Sequence, residues 1–336
     1  MKPTTRRDLL QNGAALGLSL LVSAAIRPAH ADPDTPSAPT MPTPSLVEPA
    51  IYNFKVGVID AFVIHDGVFA NPGVQPVLAP EAKPNDLKRL LEAAYQPTDR
   101  IAFAINVLVL RDSTGVTLVD SGAGSAFGAS AGRLMQGLTR LNIAAGDIRH
   151  IVITHAHGDH VGGLLGMDGA AAFPNAVIHI SQTERDFWLG AHPDVSGMKV
   201  PAAAQAGTVQ TAVKYLTAVA PQLKTFAAGD KIGALTAVET PGHTPGHTAL
   251  LVASGADSLL AIGDAVHSPA LQFPRPDYTI AFDVNPTLAV ATRRRLFVDA
   301  AKNRTKLFAY HLPFPGVGHV RANNKAYEWV PAQWEG

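Results

Sequence analysis

The chain has no cysteine among its 336 residues, so no disulfide, thiolate ligand or thiol nucleophile is available to it. Its stability must come from a packed core. Charge is scarce too: Asp, Glu, Lys and Arg make up 16% of the sequence, and 27 basic residues balance 27 acidic ones. Without a basic excess there is no field to track a phosphate backbone, so no nucleic-acid partner is expected. The apolar run at residues 14–26 falls short of the roughly 20 residues that span a bilayer. No permanent membrane anchor is expected from it. There is no internal repeat of solenoid period, and the 47% hydrophobic share is that of a globular chain rather than a disordered one.

What is present begins with an address. Thr5-Arg6-Arg7-Asp8-Leu9-Leu10, the apolar run after it and the small-residue site Ala29-His30-Ala31 resemble a cleavable twin-arginine signal. The resemblance implies a signal peptide over residues 1–31, recognition by the twin-arginine export machinery and a periplasmic location. That route carries proteins already folded. Residues 32–50 hold prolines at 33, 36, 39, 42, 44 and 49, a density that blocks helix and central strand. They read as an extended linker or arm. A single domain is expected over residues 51–336.

The densest chemistry lies at Thr154-His155-Ala156-His157-Gly158-Asp159-His160. It follows residues 148–154, a β-branched run that reads as a buried strand. One lone histidine is usually a core or surface residue. Three histidines and an aspartate crowded together are too costly to bury unpaired, and point to a metal. In the turn beyond a strand, His155 and His157 can converge on one cation while Asp159 and His160 face a second. Imidazole with carboxylate and no thiolate suits two divalent ions, zinc foremost.

The HxHxDH pattern resembles the metallo-β-lactamase superfamily, and the family's other pieces follow in order. Val119-Asp120-Ser121-Gly122 resembles its strand-end aspartate motif. Pro241-Gly242-His243-Thr244-Pro245-Gly246-His247 resembles its third-histidine loop, Gly263-Asp264 its bridging aspartate, and Tyr310-His311 its last histidine. The resemblance implies one metal on His155, His157 and His247, a second on Asp159, His160 and His311, and Asp264 bridging both. Asp120 and His243 are expected to support the ligands from behind, Asp120 by fixing a histidine tautomer. His65, His150, His179, His192 and His319 show no partner pattern and are given no role.

Departures narrow the family. Iron redox members carry a glutamate where His157 stands, and the cysteine-ligand β-lactamases are excluded outright. Members using histidines and one aspartate lack a carboxylate like Asp264, and no C-terminal helical region for glutathione is apparent. A closer resemblance, to the methyl parathion hydrolase group with its lactonase and arylesterase relatives, rests on residues that are not ligands. These are His160-Val161-Gly162-Gly163-Leu164, Phe173-Pro174-Asn175-Ala176-Val177, Asp186-Phe187-Trp188-Leu189 and residues 311–321. It implies a homodimer.

By that resemblance Phe127 and Trp188 form aromatic walls over the metals, favouring flat apolar substrates. His267, Ile280 and Phe282 make the pocket more crowded than in the parathion-hydrolysing members. A small-molecule aromatic lactone or aryl ester is therefore expected as substrate, with phosphotriesters as a side activity. The alternatives are an organophosphate hydrolase, an N-acyl-homoserine lactonase, or a non-catalytic metal-binding protein. The expected nucleophile is a hydroxide between the metals, with Asp159 and Asp264 as the catalytic carboxylates.

Strands are expected at residues 55–64, 101–110, 116–119, 148–154, 176–180, 248–253, 258–262 and 306–310. Helices are expected at 126–141, 183–189, 208–220 and 286–302. Mixed elements without a strict βαβ repeat permit an α+β fold, and the resemblance implies the αββα sandwich. Residues 190–207 show no clear pattern and could form a mobile lid.

Overall fold

The computed structural model describes residues 48–125 and 127–333. The expected signal peptide and most of the proline-rich arm lie outside the described residues. Two seven-stranded sheets carry the fold. In the first, β1 (Ile51–Val56), β2 (Ile59–Pro72), β3 (Arg100–Asp112), β4 (Gly115–Val119), β5 (Ile148–Ile153), β6 (Val177–Ser181) and β7 (Leu223–Phe226) lie side by side in chain order. In the second, β8 (Lys231–Ile232), β9 (Leu235–Glu239), β10 (Thr248–Ser254), β11 (Asp257–Ala261), β12 (Leu307–Phe308), β13 (Val317–Asn323) and β14 (Ala326–Pro331) do the same. The helices are α1 (Pro84–Ala93), α2 (Leu134–Arg140), α3 (Gly158–Val161), α4 (Gln182–Trp188), α5 (Ala202–Ala218), α6 (Pro269–Gln272) and α7 (Pro286–Asn303).

The strands of the first sheet change character along it. β1 to β4 are antiparallel neighbours, whereas β4 to β7 run parallel. Parallel strands are covered on both faces and read as continuous apolar runs, as Ile151-Val152-Ile153 does. The main core lies between the sheets, where Val107, Val109 and Leu118 of the first join Leu250, Val252 and Phe308 of the second. Fully burying such a side chain contributes about 1.5–3 kcal/mol. On the outer face of the second sheet, Leu296, Phe297 and Ala300 of α7 pack on Ile262, Leu307 and Val320. Helices outside and sheets inside give the αββα order.

Two expected elements are corrected. The strand at 55–64 is a hairpin: Val56 pairs with Ile59, and Gly57 takes the turn at φ +58°, a left-handed conformation glycine adopts without penalty. The helix at 126–141 shrinks to α2, preceded by a short 3-10 turn at Gly128–Ser130. Gly128 (φ +58°) and Gly132 (φ +87°) break it. Among the described residues, no helix is long and apolar enough to cross a membrane.

Candidate metal centre

Strand register decides where the motif loops go. Val119 of β4 is level with Val152 of β5, so Asp120 and residues 154–160 leave neighbouring parallel strands at one edge. Ala261 of β11 is level with Phe308 of parallel β12, which delivers Asp264 and His311 together. β10 starts at Thr248 and pairs Leu250 with Ala261 antiparallel, returning residues 241–247 to the same edge. Thr248 N–H donates to Thr154 O at 3.0 Å and ties the two sheets there.

At that edge His155, His157, His243 and Asp264 bring ligand atoms within 4.8 Å of one another; so do Asp159, His160 and His311, and so do Asp264, His267 and His311. The contacts centre on Asp264. Its Oδ2 lies 3.2 Å from His243 Nε2 and 3.2 Å from His311 Nε2, and its Oδ1 lies 3.1 Å from His160 Nε2. His243 Nε2 is also 3.0 Å from His157 Nδ1. His160 Nε2 and Asp264 Oδ1 are close without forming a hydrogen bond, and these two atoms, His155 Nε2, His157 Nε2 and His267 Nδ1 are buried with no hydrogen-bond partner. Each such atom costs about 1–3 kcal/mol if nothing meets it. Several of them around one carboxylate fit divalent cations, and no thiolate is among the donors.

Electrostatics sorts the imidazoles. Burial holds His155 and His157 well below the usual histidine range, and neighbouring histidines add to it. Burial also opposes charge on His243 and His311, but the carboxylates win. Asp264 and Asp283 lift His243 to about 9, and Asp264 and Asp159 lift His311 to about 10. Asp159 goes the other way, since His160 and His311 overcome its burial and hold it low.

Comparison with known proteins places this site. The sequence profile described as the Metallo-beta-lactamase superfamily matches residues 100–311. This chain belongs to that superfamily of metal-dependent hydrolases. The uncharacterized protein YobT of Bacillus subtilis (strain 168) is 34% identical over 163 residues, covering 48% of this chain and 62% of YobT. The chain thus spans less than two thirds of that curated relative. Two solved structures cover far more. AidC, described as a dizinc quorum-quenching lactonase in complex with a product N-hexnoyl-L-homoserine, has 28% identity and a TM-score of 0.83, covering 86% of this chain and 99% of AidC. AbOPH, described as a hydrolase in the beta lactamase superfamily, has 32% identity and a TM-score of 0.78, covering 87% of this chain and 100% of AbOPH.

Within the superfamily site, one expectation is overturned. His247 is not in the cluster, and His243 stands in its place. Both nitrogens of His247 are used: Nδ1 sits 3.0 Å from Thr240 O, and Nε2 accepts the Asp264 N–H at 3.0 Å. It therefore orients the central carboxylate from behind. His243 instead turns Nδ1 to Asp283 Oδ1 at 2.8 Å, leaving Nε2 for the centre.

His160, His311 and His155 have matching supports. Asp120 Oδ2 lies 2.9 Å from His160 Nδ1 and also takes the Thr154 hydroxyl at 2.9 Å. Ala104 O is 2.8 Å from His311 Nδ1, and Thr154 Oγ1 is 3.1 Å from His155 Nδ1. In each case the far nitrogen is occupied, which fixes the ring and frees the near one.

The expected pocket residues divide. Phe127 is half-buried with its ring edge-on to Phe69 at 5.7 Å, and Phe69 stacks on Phe103 at 6.1 Å. Phe103 in turn lies 5.8 Å from both His267 and His311, so an aromatic row runs from Phe127 to the centre. The half-buried Phe282 faces His157 at 6.4 Å. Two assignments are corrected. Trp188 is fully buried behind His157, its indole N–H bonded to Glu184 Oε1 at 2.6 Å, and offers no wall. Ile280 is a core residue packed with Leu78 and Tyr278. His267 reaches Asp264 Oδ2 at 3.1 Å and stacks on His311, so it belongs to the centre more than to the pocket. The 190–207 segment is tied down: Val195 and Met198 are core residues, Lys199 N–H donates to Ala281 O at 2.7 Å, and α5 begins at Ala202.

The sequence reading passed over Phe69, Phe103, Asp283 and Glu184. The last had a misleading signal, because Ser181-Gln182-Thr183-Glu184 has capping-box spacing. Ser181 does cap α4, but the glutamate side chain turns inward instead.

Proposed function

We propose that this protein is a dinuclear zinc hydrolase that opens aromatic lactones and cleaves aryl esters, with phosphotriesters as a side activity. One observation carries the reading: Asp264 groups with His155, His157 and His243 on one side and lies 3.1 Å from His160 and 3.2 Å from His311 of the Asp159 group on the other, at the end of an aromatic row. In this reading His155, His157 and His243 would hold the first ion and Asp159, His160 and His311 the second, with Asp264 available to either. Bound divalent cations acidify water and polarise a carbonyl or phosphoryl oxygen. The chain supplies the rest. Asp120, Asp283 and Ala104 O hold three imidazoles in one tautomer. The Tyr310 hydroxyl donates to the backbone carbonyl of Asp159 at 2.7 Å, holding the turn that carries its carboxylate. The Asp159 side chain keeps 16% exposure against 5% for His311, so the centre opens to solvent on its side. Phe103, Phe127 and Phe282 favour a flat substrate and exclude water.

The expected result is highest kcat/KM for dihydrocoumarin or an aryl acetate, in a panel that also holds an acyl-homoserine lactone and methyl parathion, with all turnover lost to a chelator. A preference for the acyl-homoserine lactone would favour a second reading, supported by the likeness to AidC. Turnover that survives complete metal removal would sink both.

Export is likewise our proposal, resting on Arg6-Arg7 and the small-residue site. Replacing both arginines with lysine is expected to leave an uncleaved precursor in the cytoplasm, while the native chain is recovered from the periplasm as a homodimer. Fractionation and sedimentation check it, and an unchanged periplasmic yield would defeat it.

A further inference from the structure

Glu184 takes no part in the chemistry above, yet it is a fully buried carboxylate. Burial raises its pKa, and the bonds it accepts pull the other way. A carboxylate in such a place is costly unless its lone pairs are met. They are met by four donors from three places. Oε1 accepts the Ala156 N–H at 3.0 Å and the Trp188 indole N–H at 2.6 Å. Oε2 accepts the Thr244 hydroxyl at 2.7 Å and the Gly246 N–H at 2.9 Å.

Two of those places are the loops of one metal position. Ala156 lies between His155 and His157, and Thr244 follows His243 directly. The approach is too close for any side chain at 246, where an added Cβ would sit 2.2 Å from Glu184 N. Ser181 adds to the clamp, its hydroxyl donating to Gly246 O at 2.9 Å. Trp188 also lies 5.8 Å from the His157 ring, so the same helix backs that imidazole. The other group is braced elsewhere: His160 by Asp120, His311 by Ala104 O, and Asp159 through Tyr310.

We propose that Glu184 is a positioning residue that locks the loops of His155, His157 and His243 into one geometry, and so sets the cation affinity of that position alone. The inference rests on the ligand reading given above. Glutamine cannot replace the glutamate without penalty, because its amide NH2 would face two donors from Thr244 and Gly246, or from Ala156 and Trp188.

The test is zinc binding by the full mature chain, titrated against a competing chelator, with cobalt(II) absorption as a second readout. Wild type is expected to bind two ions. Glu184→Gln is expected to keep one at native affinity and lose about 10- to 100-fold at the other, the usual cost of removing such a support. Thr244→Val removes a single donor and carries the test if the glutamine variant does not fold, with a several-fold loss at the same position. Asp66→Asn is the control. Asp66 is equally buried and held by the N–H groups of Ala123, Gly132 and Leu134 at 2.9, 3.1 and 2.7 Å. It should lower the melting temperature and leave both ions in place. Native affinity at both positions in Glu184→Gln and Thr244→Val would overturn the proposal, as would equal loss at both or the same loss in Asp66→Asn. A wild type that takes fewer than two ions would instead overturn the ligand reading, and the proposal with it.

Discussion

His243→Ala is expected to lower kcat/KM by about 10³-fold and to remove one bound ion, whereas His247→Ala should cost only about 10- to 100-fold and keep both. The two residues are four apart and chemically identical, so the difference must come from where their nitrogens point. His243 turns Nε2 toward His157 and Asp264. His247 spends Nε2 on the Asp264 backbone N–H. Removing it leaves that N–H unpaired and loosens the central carboxylate, but takes away no ligand. Steady-state kinetics and metal content on the two variants decide it. The opposite ranking would return His247 to the cluster and undo the site described here.

This pair shows where the sequence stops being legible. Residues 241–248 repeat Pro-Gly-His-Thr twice, so local pattern cannot tell the histidine that faces the centre from the one behind it. The choice is made by long-range geometry: Asp283, distant in sequence, fixes His243, and Gly263 lets His247 approach Asp264. A Cβ at Gly263 would lie 2.6 Å from His247 Nε2. By contrast His155, His157, Asp159 and His160 were readable because one strand end delivers all four. Asp264 and His311 followed from family order, and the parallel register of β11 and β12 is the physical reason they arrive together.

The fold was legible where periodicity was strong and continuous. β5 and α7 fall within two residues of expectation because one is a buried β-branched run and the other has Pro at its start and an asparagine cap. β13 and β14 were not expected. Their burial is partial along much of their length, so no clean alternation marks them, and the motif residues 311–321 drew attention to chemistry instead of strand. Trp188 failed for a similar reason. An aromatic beside a motif reads as a wall until burial shows what lies on its far side.

The second large effect concerns protons. With no cation bound, burial opposes charge on these rings but carboxylates outweigh it: Asp264 and Asp159 lift His311 to about 10, Asp264 and Asp283 lift His243 to about 9, and Asp264, Asp120 and Asp159 raise His160. His155 and His157 are neutral, held low by burial. A divalent cation needs neutral imidazole, so loading the chelated protein at pH 7–8 is expected to release protons. Calorimetry in buffers of different ionisation enthalpy measures that release.

The same titrations give stability a direction. A folded-state pKa raised above the unfolded value of 6.5 contributes stability that is complete below pH 6.5 and lost as pH rises through 9 to 10. The chelated protein should therefore weaken over that interval. His155, His157, His247 and His267, all lowered, act only as pH falls below 6.5 and do not blur the window. The loaded protein gains across the same interval, because protons compete less with the cation. The gap in melting temperature between loaded and chelated protein is thus expected to widen by about 5 °C or more between pH 6.5 and 9. A gap that stays constant or narrows would show that the protons on His243, His160 and His311 are not what the cations displace.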